Sequence, residues 1–147
     1  MHNWKNTILK VTNTIADAIN VLDKESLRIV MVVDDGDKLI GTVTDGDVRR
    51  GLIRHFSLDE SIIEIMFKTP TTSLEKDSKE SVLLKMKELD LLQIPIVNSD
   101  RKVVGLETLQ HLIEEDRFDN PVFLMAGGFG KRLQPLTDNT PKPLLKV

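Results

Sequence analysis

The chain has 147 residues, of which 40% are hydrophobic and 29% charged, and a net charge of −3. That suits one compact domain of ordinary size. With no cysteine, disulfides, thiol nucleophiles and thiolate metal sites are excluded. Slight acidity without a clustered basic face argues against nucleic acid as a partner. No apolar run reaches the roughly 18 residues of a membrane helix, and the start Met1-His-Asn-Trp-Lys has no apolar signal core, so no membrane span and a cytoplasmic location are expected. His2, His55 and His111 are too scattered for metal-ligand spacing.

Along the chain, Ile15, Ala18, Ile19 and Leu22 recur on one face and predict a helix over 15–23. Two apolar segments follow, separated by Asp34-Asp-Gly-Asp37, and read as a hairpin. The stretch Gly41-Thr-Val-Thr-Asp-Gly-Asp-Val-Arg-Arg50 then enters a helix that continues through Leu52, with Thr44 and Asp47 at the spacing of a capping box. In the connecting segment 65–71, Pro70 blocks a helix. Residues 79–87 predict a second helix with Val82, Leu83 and Met86 on one face, and Asp77 with Glu80 is expected to cap it. A shift of 64 residues then lays 30–41 over 94–105 without a gap, which places a second hairpin turn at Asn98-Ser-Asp-Arg101. Each unit reads helix, strand, turn, strand, helix. Each alone holds about 60 residues, marginal for a stable core, so the units are expected to bury against each other.

This duplicated unit, with its strand pair of the form apolar-Val-Asp-x-x-x-Lys-apolar-x-Gly-x-x-Thr, resembles the CBS domain, which occurs in tandem as the Bateman module. The resemblance covers about residues 8–116 and is stronger in the first copy. It implies an α/β (α+β) fold of two β-α-β-β-α repeats, 8–64 and 65–118, packed as a pseudo-symmetric pair. In CBS domains that bind adenosine nucleotides, a Thr or Ser followed three residues later by Asp meets the ribose. The matching residues here are Thr44 and Asp47, with Arg49 or Arg50 able to reach phosphates. The resemblance thus implies AMP, ADP or ATP as ligand of the first repeat. Thr44 and Asp47 acting only as a helix cap is the alternative. The second copy keeps Thr108 but has His111 for Asp47 and Glu114 for Arg50. One nucleotide per module, or a second half used only for packing, is the expectation, together with a homodimer formed through the repeats.

Residues 122–126 form an apolar run that reads as a buried strand. Gly127, Gly128 and Gly130 follow it, where missing Cβ atoms let backbone N–H groups approach a phosphate. Arg132 supplies a planar cationic fork, and Lys142 sits between two prolines. A P-loop would need glycine at position 125 and Ser or Thr at 132, which hold Met125 and Arg132. A dinucleotide fingerprint would need a third glycine where Leu133 stands. The spacing from Ala126 to Leu145 instead resembles the opening of the sugar-1-phosphate nucleotidyltransferases. That implies a Rossmann-like start at 122–147 after a linker at 119–121, with the glycines holding a nucleoside triphosphate and Arg132 and Lys142 neutralising its phosphates. In that family the metal-binding carboxylates and sugar pocket lie further downstream. The segment is therefore expected to be an incomplete catalytic domain, inactive alone, with nucleoside triphosphate and Mg2+ used only by the intact transferase. A regulatory CBS pair in front of that enzyme is the leading expectation, and a non-catalytic CBS dimerisation scaffold is the alternative.

Overall fold

A computed structural model describes residues 3–115, all within one folded unit. The nucleotidyltransferase-like residues Gly127, Gly128, Gly130, Arg132 and Lys142, and the linker 119–121, lie outside the described residues.

Local signals fix the elements in the first half. After a 3-10 turn at Trp4–Thr7 comes β1 (Ile8–Lys10), then α1 (Ile15–Lys24), β2 (Val30–Val33), β3 (Leu39–Val43) and α2 (Asp45–Ile53). Thr14 caps α1 through a reciprocal box. Its N–H donates to Asp17 Oδ2 at 2.9 Å, and its Oγ1 accepts from the Asp17 N–H at 3.2 Å. The Thr14 N–H, followed by the Asn13 side chain, holds the Asp17 carboxyl below its ordinary pKa.

The second half repeats the order with β4 (Ser73–Leu74), α3 (Lys79–Glu88), β5 (Gln93–Val97), β6 (Val103–Thr108) and α4 (Leu109–Glu115). One expectation is corrected here. The cap of α3 is Ser78, whose Oγ accepts from the Ser81 N–H at 3.2 Å. Asp77 faces back instead, accepting from the Leu74 N–H at 2.8 Å and pairing with Lys85 at 3.8 Å. Ser78 stands 64 residues after Thr14, so the duplicated geometry, rather than the nearest acidic residue, marks the helix start.

Each half forms a three-stranded sheet, ordered β1-β2-β3 and β4-β5-β6, with its first pair parallel and its second antiparallel. Both antiparallel pairs carry a register shift, between Val32 and Val33 and between Ile96 and Val97. Both hairpin turns are built alike. Asp34 Oδ1 accepts from the Gly36 and Lys38 N–H groups at 2.8 and 2.9 Å, and Asn98 Oδ1 from those of Asp100 and Lys102 at 2.9 and 3.0 Å. Asp37 and Arg101 then turn the chain at φ 62 and 63, conformations that a short Asp tolerates better than Arg.

The halves join through these hairpins. Leu39 N–H donates to Arg101 O at 2.9 Å and Val103 N–H to Asp37 O at 3.3 Å, with Lys38 bridging Lys102 antiparallel. Beneath the junction Met31, Leu39 and Val97 form a shared core, flanked by Trp4, Ile8, Val103 and Leu106. Each half also keeps a core of its own, around Ile15, Val32 and Ile62 in one and Val82, Met86 and Ile94 in the other.

Candidate functional site

The end of β3 and the start of α2 bring Thr44, Asp47 and Arg50 to one wall of a cleft of about 400 Å³, within the range of small-molecule sites. Asp47 Oδ2 accepts from the Thr44 N–H at 2.9 Å and from its Oγ1–H at 2.7 Å. Asp47 Oδ1 accepts from Arg50 Nη2 at 2.6 Å. The carboxylate side chain is only 12% exposed, whereas that of Arg50 is 60% exposed. A shielded acceptor is thus paired with a mostly exposed cation. Arg49, one residue earlier on the helix, is exposed and does not line the cleft. Adjacent helical positions point about 100° apart.

Sequence reasoning missed the rest of the cleft. The second repeat contributes Asp90, Leu92, Gln93 and Pro95 from the loop before β5 and from β5 itself. The connecting segment contributes Phe67, Pro70 and Thr71. Phe67 is held there by a two-way backbone bridge with Thr42, at 2.8 and 3.1 Å. Gly41 makes this crossing possible, since a Cβ there would meet Met66 Sδ at 2.7 Å and Phe67 O at 2.9 Å. Phe67 and Leu92 remain 54% and 59% exposed. Two large apolar side chains facing water in a concave site offer area to a planar ligand.

The 64-residue shift maps this cleft onto a second one, of about 610 Å³, lined by Trp4, Leu27, Glu107, Thr108, His111 and Glu114 among others. Thr108 Oγ1 accepts from the His111 N–H at 3.2 Å, so the cap survives. His111 Nδ1 lies 3.1 Å from Glu107 Oε2, and Glu114 Oε1 accepts from Gln110 Nε2 at 2.9 Å. The second cleft has Glu114 where the first has Arg50, so it lacks the cation that could meet a phosphate there.

Residues 5–54 match the family model described as CBS domain. The CBS domain pair of protein MJ0100, solved in complex with 5-methylthioadenosine and S-adenosyl-L-methionine, superposes with a TM-score of 0.63 at 27% identity, covering 74% of this chain and 84% of that one. The fold is that of a CBS domain pair. CBSX2, solved in complex with AMP, has a TM-score of 0.64 at 19% identity over 74% of this chain and 84% of its own. Among curated proteins, the homoserine O-acetyltransferase of Methanobrevibacter ruminantium is 32% identical over 108 residues. That match takes in 71% of this chain but only 21% of the enzyme. The chain thus spans about a fifth of the length of the curated relatives it matches first. Among the described residues no helix is long and apolar enough to cross a membrane, and no cluster of His, Asp and Glu is arranged to hold a metal ion.

Proposed function

We propose that the CBS pair is a regulatory sensor that takes one adenosine nucleotide, AMP, ADP or ATP, in the cleft of Thr44, Asp47 and Arg50. The observation that carries this reading is the shielded Asp47 carboxylate, fixed by Thr44 at the wall of a cleft built from both repeats. Vicinal ribose hydroxyls are donors that suit such a carboxylate. Phe67 and Leu92 would cover the base, and Arg50 would meet the phosphate. A ligand touching both repeats stabilises whichever arrangement of the pair fits it, and that differential affinity is the source of regulation.

The regulated enzyme, in this proposal, is a sugar-1-phosphate nucleotidyltransferase beginning near residue 122, with the repeats at 8–64 and 65–118 and a linker at 119–121. Support for it rests on the glycine, arginine and Pro-Lys-Pro pattern of residues 126–145. In the intact enzyme a sugar 1-phosphate oxygen attacks the α-phosphate of a nucleoside triphosphate, forming the nucleotide sugar and releasing pyrophosphate with Mg2+ assistance. Arg132 would bind the triphosphate and the leaving pyrophosphate, and Lys142 would offset charge at the reacting phosphates.

Calorimetric titration with AMP, ADP, ATP, GTP and S-adenosylmethionine tests the sensor reading. One of the adenosine nucleotides should bind saturably at one site per chain, and Asp47→Ala should abolish the heat. A second reading, a ligand-free homodimeric scaffold, is favoured by Ile53 at 70% exposed on α2 and Ile113 at 49% on α4. Absence of heat with every ligand, together with a sedimentation mass of twice the chain, would favour it instead.

A further inference from the structure

We infer that Arg50 determines the ligand specificity of the first cleft, holding Asp47 until a phosphate draws it away and so favouring phosphorylated nucleosides over phosphate-free ones. The inference rests on the reading of that cleft as a nucleoside site and concerns what the site selects.

A carboxylate offers about four acceptor positions. Three are taken here, two on Oδ2 by the Thr44 N–H and hydroxyl and one on Oδ1 by Arg50. A vicinal diol needs two. The Thr44 contacts belong to the helix cap and are costly to break, so Arg50 is the partner that must yield. Its seat is a gap in the helix surface. A Cβ added to Gly46 would meet Arg50 Nη1 at 3.2 Å and Nη2 at 3.6 Å, so the guanidinium lies over a residue with no side chain. Being mostly exposed, Arg50 leaves that seat with little loss of packing.

The consequence depends on the ligand. A phosphate-free nucleoside must break the 2.6 Å ion pair and gives Arg50 nothing in exchange. A nucleotide replaces one anionic partner with another, so the displacement is compensated. The second repeat carries the same logic in reverse, since it lacks both members of the pair, with His111 and Glu114 at the shifted positions. There the Asp47 position has no carboxylate and the Arg50 position no arginine.

Titrating adenosine and AMP into the full chain, its Arg50→Gln and Arg50→Lys variants and Gly46→Ala provides the test, with a thermal melt of each variant as a check on folding. Arg50→Gln should bind adenosine about three- to tenfold more tightly and AMP about tenfold more weakly, lowering the preference for AMP by at least about thirtyfold. Arg50→Lys should recover part of that preference. Gly46→Ala, which crowds the guanidinium while keeping it, should tighten adenosine without weakening AMP. Equal changes for both ligands, or none, would overturn the specificity role of Arg50 while leaving the sensor reading intact. Failure of every nucleoside and nucleotide to bind the unaltered chain would overturn both.

Discussion

Asp47 closes the first turn of α2 and also presents its remaining acceptor to a cleft, so structural and ligand effects of changing it must be separated. Thr44→Ala removes the hydroxyl that donates to Asp47 but leaves the carboxylate in place. Loss of a cap of this kind costs about 1 kcal/mol, and urea denaturation should register it, while nucleotide affinity falls far less than in Asp47→Ala. Asp17 offers a pH test at the same scale. Its pKa is depressed by the Thr14 N–H and by Asn13, so the stability it adds is fully present above the ordinary carboxylate value of about 3.9. That stability is lost as pH falls through the lower folded-state value. Denaturation midpoints measured from pH 5 to pH 2 should therefore fall less steeply in Asp17→Asn than in the unaltered protein. Thr44 and Asp47 were legible in the letters as a helix cap, because three-residue spacing at a strand end carries its own geometry, and the family resemblance alone marked them as candidate ligand residues. That Arg50 occupies Asp47 was not, since sequence spacing allows an i,i+3 ion pair without showing whether the arginine turns toward the carboxylate or toward water.

At the scale of elements, α1, with a strong apolar face, and α3, with a weaker one, were both read to within a residue or two. β1 and β4, three and two residues long, are too short to carry an alternating pattern, and only the family resemblance implied them. The cap of α3 was misread because Asp77 and Glu80 have the right spacing, yet Asp77 is committed to Leu74 and Lys85. α2 depends on a contact that no periodicity reveals. A Cβ on Gly51 would overlap Ile65 Cγ2, in the segment leading out of the first repeat. Alanine in a helix gains up to about 1 kcal/mol over glycine, but overpacking costs about 1–3 kcal/mol. Gly51→Ala should therefore be destabilising by about 1 kcal/mol in urea denaturation, against the direction that helix propensity alone would give.

For the molecule as a whole, the repeat in the letters foretold duplicated sheets and a paired arrangement. The far wall of the cleft escaped notice, because Leu92 and Pro95 line the same cleft as Asp47 only once the two halves are docked. Docking itself depends on a core that neither half owns. Met31, fully buried beneath the junction, should cost about 2–5 kcal/mol when cut to alanine. Hydrogen exchange gives a sharper reading than the total. In Met31→Ala, protection should fall in β5 and β6 as well as in β2, since the lost contact supports both repeats. Faster exchange confined to the first repeat would mean that the halves unfold independently.

The reciprocal bonds between the hairpins also have a bearing on chain exchange. Leu39 donating to Arg101 and Val103 donating to Asp37 are two copies of one junction, and nothing in it requires the two hairpins to come from the same polypeptide. The segment between the repeats decides which partner is taken, through Phe67 bridged to Thr42 across Gly41. If that crossing is pried open, the second half of one molecule can dock onto the first half of another, giving an interlocked dimer that keeps the hairpin junction. Gly41, by letting Phe67 approach Thr42, thereby favours pairing of the two halves within one chain.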